Sequence, residues 1–359
     1  MKRSVLSCLI LLAVGFLLAQ QPVLLRNSQF LDFEGQKIDL PGGATMIFWN
    51  DTSSGSSDVL AQKISAEGNV LWTAPRPVAN GPLEQRVESA VLSSDQNIIV
   101  LYYEYSMVED ENSFRVQKIS QAGQPLWGAE GVEIGSSENH LYDVVLVPNT
   151  IGAAYVIYKS TAVYGMNLDN FGTNLWPHIP LCNFPGTHLV EAFEDGVGGV
   201  IINSKVYISG EGYHNRLIRY NSAGDVVGPN PLLDPAALVP EGFTMIRDSE
   251  GNYFLHSYQN DGLQLQKMDV NGSLLLPNIV TIPRDSNEYY YSIDLKAAPD
   301  GGLLYSVYFA MGGNDDYQIK LYYLGANLQP VWAQPVSFPV DGSPYSLSMD
   351  TMDGFWLSW

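Results

Sequence analysis

The chain is patterned as short apolar and β-branched runs, each introduced by a turn. Gly42-Gly43 precedes Ala44–Trp49, Asp95-Gln96 precedes Asn97–Tyr102, and Gly152 precedes Ala153–Tyr158. The pattern continues as Asp195-Gly196 with Gly198-Gly199 before Val200–Ile202, then Gly251-Asn252 before Tyr253–Leu255. Asp300-Gly301-Gly302 before Leu303–Tyr305 and Asp353-Gly354 before Phe355–Leu357 complete seven occurrences. Asp-Gly and Gly-Gly supply the positive φ of two-residue hairpin turns, so each copy predicts a strand, a tight turn and a second strand.

A second element recurs between these turns. Gln62-Lys63-Ile64-Ser65 leads through Gly68 to Leu71-Trp72, and Gln117-Lys118-Ile119-Ser120 leads through Gly123 to Leu126-Trp127. Weaker copies are centred on Gly172, Gly224, Gly272 and Leu328. The anchors 68, 123, 172, 224, 272 and 328 lie 55, 49, 52, 48 and 56 residues apart, which makes six copies of one unit. Each unit predicts four antiparallel strands; in the second they fall near 86–93, 97–105, 114–120 and 124–134. Immunoglobulin-like domains need about 100 residues and seven strands apiece.

Four short strands per unit, with repeats that need neighbours on both sides, predict an all-β fold, a β-propeller of four-stranded blades. Seven blades with the last incomplete is the first expectation and six the alternative. Pro22–Gln29 is available as an outermost strand, and Tyr345–Trp359 supplies two strands of the seventh blade. An end at Trp356-Leu357-Ser358-Trp359 fits either a truncated chain or a ring closed by pairing the two termini. Trp72, Trp127, Trp176 and Trp332 share one position in the unit, as expected of a side chain packed between neighbouring blades.

These residues resemble the repeats of secreted bacterial β-propeller proteins, most of them uncharacterised, and the Gly-x-x-Leu-Trp hairpin is similar to the blade motif of quinoprotein-type propellers. The resemblance covers about residues 40 to 359 and implies architecture. A quinone cofactor is not carried over, because vicinal cysteines and a metal-ligand cluster are both missing. Many relatives of the secreted kind end in a sorting domain, and none is visible here.

The first residues read as a secretory leader spanning 1–19: Lys2 and Arg3, the apolar run Val5–Leu18, and Ala19 before Gln20. The run is too short to span a bilayer. Residues 20–359 are then one propeller domain, secreted or at the cell surface, with the periplasm as the alternative address. Without Cys8 the mature chain keeps Cys182 alone, so no internal disulfide is expected and stability must come from the core.

The formal charge is -20, and removing Lys2 and Arg3 makes it -22, from 16 basic and 38 acidic residues. Such a field excludes nucleic acid and anionic lipid as partners and tolerates neutral glycans or basic proteins. The expected state is a monomer without membrane insertion.

No reaction is legible in the motifs. His140, His178, His188, His214 and His256 have no metal-site spacing, and a nucleophile elbow, a P-loop and a dinucleotide fingerprint are all missing. No metal and no cofactor are expected. The turns at Asp248–Asn252, Asp269–Ser273 and Asp350–Gly354 alternate oxygen ligands with glycine, a faint calcium pattern that ordinary turn chemistry also explains.

Because the tight turns gather at one end of each sheet, the long connections gather at the other. Acids and aromatics concentrate there: Glu109, Asp110 and Glu111; Tyr213 with His214; Tyr289 and Tyr290 beside Glu288; and Asp315, Asp316 and Tyr317. These residues predict a binding module for a protein or a glycan. A polysaccharide-acting glycosidase or lyase using the same carboxylates is the first alternative, and a structural envelope component is the second.

Overall fold

The computed structural model describes residues 31–53, 55–79, 81–106, 112–136, 141–177, 180–183, 187–210, 212–233, 242–259, 261–285, 288–311, 317–340, 346–349 and 355–358. Among them every regular element is a strand, and the strands form seven antiparallel sheets. The first sheet joins Leu31–Asp39, Thr45–Asp51, Asp58–Ile64 and Arg76–Ala79 in chain order. The second joins Glu84–Leu92, Ile98–Tyr105, Asn112–Ile119 and Val132–Ser136.

Three strands are described in the third sheet, Tyr142–Pro148, Ala154–Lys159 and Val163–Asn167, and three in the fourth, His188–Glu194, Val200–Ile208 and Gly212–Tyr220. A bridge from Val163 to Cys182 and a bond from Leu232 N–H to the Leu217 carbonyl, 2.8 Å, stand where their fourth strands would pair.

The fifth sheet (Thr244–Arg247, Tyr253–Gln259, Gly262–Met268, Val280–Pro283) and the sixth (Glu288–Ala297, Leu303–Met311, Tyr317–Leu324, Val336–Pro339) again have four strands. The seventh pairs Ser346–Met349 with Phe355–Ser358. The first four sheets belong to one compact unit, Pro22–Leu232, and the last three to another, Leu233–Trp359.

Both faces of a middle strand are buried, which is why these runs read as continuously apolar. In the second sheet Ile98, Val100 and Tyr102 pack with Phe48, Val59 and Ala61 of the first sheet. The alternate residues Ile99 and Leu101 pack with Ala154 and Val156 of the third. All five side chains are essentially inaccessible to water, and each contributes on the order of 2 kcal/mol by burial.

Two expectations are corrected. The hairpin turns have three loop residues, not two: Ser93 N–H donates to the Asn97 carbonyl (2.9 Å) and Gln96 N–H to the Ser93 carbonyl (3.0 Å). The last loop residue takes positive φ, and in this turn it is Gln96 itself at φ 68°. The fourth strand of the second sheet is Val132–Ser136 and does not begin at 124. After Pro125 bridges Ile119, the chain leaves the sheet so that Trp127 can reach a neighbour. The Gln117 carboxamide holds that exit, donating to the Gly128 carbonyl (2.8 Å) and accepting from Trp127 N–H (3.2 Å). Gln62 and Gln266 donate in the same way to the carbonyls of Trp72 and Leu276. Pro22–Gln29 lies outside the described residues.

Trp72, Trp127 and Trp176 pack between sheets, and Trp332 meets Tyr323 of its own sheet. Trp127 donates its indole N–H to the Asn170 carbonyl (3.0 Å) and covers Gly172, where an added Cβ would lie 2.7 Å from Val132 Cγ2. Trp176 repeats this on the Ser222 carbonyl (2.8 Å) and Gly224, and Trp72 covers Gly123. Each of these three indoles therefore sits on the glycine of the next sheet's last tight turn, whose positive φ disfavours any side chain.

In the second to sixth sheets the residue five before the anchor ties that hairpin to the other tight turn of its own sheet, whereas Lys63 of the first sheet reaches Gln121 of the second. Lys118 pairs with Asp95 at 2.5 Å and reaches the Gly152 carbonyl and Asn170 of the third sheet. The same position holds Asn167 on Asn149 (2.9 Å), Arg219 on Asp195 (2.8 Å), Lys267 on Asp248 (2.8 Å) and Tyr323 on Asp300 (2.5 Å).

Two predictions follow from these joints. Trp127→Ala lowers stability by about 3 kcal/mol, and Gly172→Ala by about 1–3 kcal/mol because its positive φ and its seat are both violated; urea midpoints measure both. Burial raises the Asp95 pKa, but hydrogen bonds from Lys118, Ser93 and Asn97 outweigh it and bring it down to about 2. A depressed carboxylate stabilises the fold above its unfolded value and loses that contribution as pH falls. Asp95 is about one-third exposed, so roughly 1–2 kcal/mol is lost between pH ~4 and ~2, and acid titration of Asp95→Asn, measured by circular dichroism, lacks that component.

Candidate functional site

The tight turns of neighbouring sheets in Pro22–Leu232 interlock through Lys63 with Gln121, Lys118 with Asn170, and Asn167 with the Ser222 carbonyl. The strands are antiparallel, so the opposite ends of these sheets also neighbour one another, and they carry the longer connections.

On the second sheet this end bears two cross-strand rows on one face. Arg86, Tyr103 and Phe114 are in register, and Glu84, Tyr105 and Asn112 form the next row. A register shift between Val87 and Ser89 makes Glu88 the extra residue of a bulge, and its carboxylate lies 3.7 Å from Arg86. Tyr103 stacks on Tyr105 (centroids 5.7 Å, 22°) and meets Phe114 at 5.0 Å. Arg86, Glu88, Tyr103, Tyr105, Ser106, Asn112 and Phe114 line an open depression of ≈ 480 Å³.

The opposite face of the same strands is polar and buried. Gln85 donates to Glu104 (3.0 Å), and Glu104 lies 2.7 Å from Arg115, which also meets Glu133 at 3.2 Å. Tyr102 donates to the Glu130 carbonyl, and burial first, then the Glu104 charge, pushes its pKa far up. This network fixes the strands whose other face presents the aromatic rows.

On the fourth sheet Tyr207 and Tyr213 are cross-strand partners, edge to face at 5.2 Å, with Lys205 5.8 Å from the Tyr213 ring and His188 beside it.

In Leu233–Trp359 a charged cluster occupies the corresponding end of the sixth sheet. Glu288 is buried; it accepts from Lys320 and from the Tyr290 hydroxyl (2.9 Å), and the ammonium lies 4.9 Å from the Phe309 ring. Tyr258 of the fifth sheet packs on Tyr290 at 5.2 Å. Burial, then the bond to Glu288, pushes the Tyr290 pKa far up, so it stays a protonated donor. Burial lowers the Lys320 pKa, but the Glu288 hydrogen bond and charge outweigh it and leave it raised. His256, against the Thr244 hydroxyl at 2.7 Å, is lowered to about 4 by burial.

The residues expected from sequence do not converge. Tyr213 joins the Tyr207 cluster, whereas His214 points to the other face, opposite Val206. Tyr290 joins Glu288 and Lys320, whereas Tyr317 lies on the far face of the sixth sheet, stacked on Tyr308 at 5.4 Å. Tyr289 pairs with Ala310 in the backbone. Glu109, Asp110, Glu111, Asp315 and Asp316 lie outside the described residues; the first three belong to the connection whose ends, Ser106 and Asn112, line the depression. Asp248 and Asp269 serve their own turns: Asp248 accepts from Glu250 and Asn252 N–H, and Asp269 from Asn271 and Ser273 N–H. Asp350 and Asp353 lie outside the described residues. Sequence reasoning missed Arg86, Glu88, Tyr103, Tyr105 and Phe114, although their odd–even spacing on adjacent strands was visible.

No protein-family model and no curated protein matches the chain. Among solved structures it is similar to a puromycin hydrolase, with 13% identity and TM-score 0.52 over 93% of this chain and 50% of that one. The chain thus spans half the length of that enzyme. It is also similar to an α-L-arabinanase from Penicillium chrysogenum complexed with arabinobiose (11%, TM-score 0.49, 83% and 95% of the two chains). An ulvan lyase of a polysaccharide lyase family is a third (13%, TM-score 0.49, 82% and 79%). At such identities the likeness bears on the fold alone, which is propeller-like and all-β.

Glu288→Gln leaves the half-buried Lys320 with only the exposed Asp285 carboxylate, 3.5 Å away, and destabilises the fold by about 1–3 kcal/mol. The raised Lys320 pKa stabilises below its unfolded value near ~10.4 and loses that contribution at higher pH. Alkaline unfolding curves of Glu288→Gln therefore show that component reduced relative to the unmodified chain.

Proposed function

We propose that the chain is an exported β-propeller that holds a glycan at the long-connection end of its sheets. The seven sheets are its blades, the last one incomplete, with six as the alternative count. The reading is supported by the positive start and apolar run of residues 1–19 and by the repeat itself. The observation that carries the ligand class is the aromatic depression on the second sheet.

A sugar ring has apolar C–H faces and a rim of hydroxyls, so it needs a flat apolar platform edged by planar donors and acceptors. Tyr103, Tyr105 and Phe114 supply the platform, and Arg86, Glu88 and Asn112 supply the edge. The depression is open, as suits a polymer passing across it rather than a small molecule enclosed. Cleavage of the bound polysaccharide is the second reading, favoured by the Glu88 carboxylate in the wall of the same depression.

Glycan-array screening followed by calorimetry tests both. Tyr103→Ala combined with Tyr105→Ala weakens binding of the best glycan about tenfold or more with unchanged circular dichroism. Unaltered affinity removes this depression from the proposal. Release of shortened products from the bound glycan, lost in Glu88→Gln, makes the chain an enzyme.

A further inference from the structure

The fourth sheet carries a side-chain array at its long-connection end that the second-sheet depression does not use. Leu189, Ile202 and Val206 pack on one face of this sheet with Tyr155 and Ile157 of the third. On the reverse face His188, Lys205 and Asn215 are in register, one from each strand, and Tyr207 and Tyr213 form the next row on that face. Neighbouring strands lie about 4.8 Å apart, so the three polar groups span about 10 Å.

The rings of this array are wet. Tyr207 and Tyr213 meet edge to face at 5.2 Å, yet they leave 50% and 51% of their surface exposed. A cross-strand aromatic pair supports its sheet by contact between rings and needs no such exposure.

The cation of the array has no counter-ion. Of the eight lysines among the described residues, five pair with a carboxylate, and Lys63 and Lys159 donate to oxygens of Gln121 and Ser160. Among the described residues Lys205 has only the Tyr213 ring, whose centre lies 5.8 Å from its ammonium. His188 is exposed and lies beside the same ring at 6.1 Å. The third member of the row is held from below: Asn215 donates to Asn203 (2.8 Å), which is inaccessible to water and donates in turn to Glu191 (2.9 Å). The array thus stands on hydrogen-bonded strands and not on a loop.

A flat exposed ring accepts the C–H face of a sugar. An ammonium without a counter-ion beside that ring takes a carboxylate through a charge-assisted hydrogen bond, and the His188 ring offers a second donor in the same row. The formal charge of -20 opposes an anion at long range, but charges farther off than about 8 Å are largely screened at physiological ionic strength. Closer by, the strands of the fourth sheet carry three basic residues, Lys205, Arg216 and Arg219, against two acidic ones, Glu191 and Glu194.

We propose that the fourth sheet holds a second ligand site, for a sugar residue bearing a carboxylate, with Tyr213 as the platform and Lys205 and His188 on the carboxylate. The site is separate from the depression on the second sheet and stands whether or not that depression holds a glycan.

The test is calorimetry of the full chain with trigalacturonate and with its methyl ester, which keeps the sugar faces and removes the charge. The acid is expected to bind about tenfold tighter or more. Lys205→Met keeps the apolar stem, brings the acid to the affinity of the ester and leaves the ester unchanged. Tyr213→Ala weakens both, and Tyr103→Ala combined with Tyr105→Ala changes neither. Equal affinity for acid and ester, or an unaltered acid affinity in Lys205→Met, overturns the carboxylate assignment. Loss of binding in the Tyr103 and Tyr105 double variant places the ligand in the second-sheet depression and overturns the separate site. Hexaglutamate bound as tightly as trigalacturonate overturns the sugar assignment, and binding of neither sugar overturns the site.

Discussion

The seat of each indole on the next sheet's glycine is the contact on which the rest of the N-terminal unit depends. A sheet of this repeat is apolar on both faces and cannot stand alone, so its stability is set by how neighbours meet. Trp127 covers Gly172 and donates to the carbonyl two residues before it, and Trp176 does the same at Gly224. The tryptophan can make this contact only by leaving its own sheet. That departure delays the fourth strand to Val132 and requires Gln117 to satisfy the backbone at the exit. One packing demand thus fixes a glycine, a tryptophan, a glutamine and the start of a strand.

The repeat was legible because these demands recur at fixed offsets. Spacing alone identified the glycine anchors, the tryptophan position and a strand–turn–strand unit. The fourth strand was misplaced because Leu126-Trp127 looks like strand sequence, and no local signal distinguishes a residue paired in a ladder from one turned out of it. The turn length was misread for a related reason: Asp-Gly fits a two-residue turn, and the third loop residue shows only in the hydrogen bonds from Ser93 to Asn97. The tie between the two tight turns of a sheet was hidden more deeply. Lysine, asparagine, arginine and tyrosine all perform it, at positions 118, 167, 219, 267 and 323, and a shared role carried by unlike residues leaves no consensus.

The composition of the candidate site was not legible in the sequence. Because long connections gather at one end, the expected contacts were sought in the loops at the end of the second sheet that bears the depression. The rows on the second sheet are instead built on strand ends, where the register of Arg86, Tyr103 and Phe114 is enforced by the buried Gln85–Glu104–Arg115 network on the reverse face. A polar network beneath an aromatic surface is invisible to a reading that treats alternate residues as simply inside or outside, since here both faces have chemistry.

The sixth repeat shows how far the joint can be varied. Leu328 stands where the other five anchors have glycine, keeps the left-handed conformation at φ 60°, and is fully buried. In the preceding repeat the tryptophan position is Leu276, which packs in the same core as Leu328. An indole on a glycine has been exchanged for two leucines of similar combined bulk, so the volume at the junction is conserved although neither residue is. The backbone strain of a non-glycine residue at positive φ, on the order of 1 kcal/mol, is outweighed by burying the leucine side chain at about 2 kcal/mol. The tight-turn end of the sheets is therefore held by volume and hydrogen bonding that tolerate substitution only in compensating pairs. At the opposite end the coupling differs from junction to junction: Ser57 bonds to Glu84 and Gln85 between the first two sheets and Tyr258 packs on Tyr290 between the fifth and sixth, so its strand ends carry a tyrosine pair in one repeat and the Glu288–Lys320 ion pair in another.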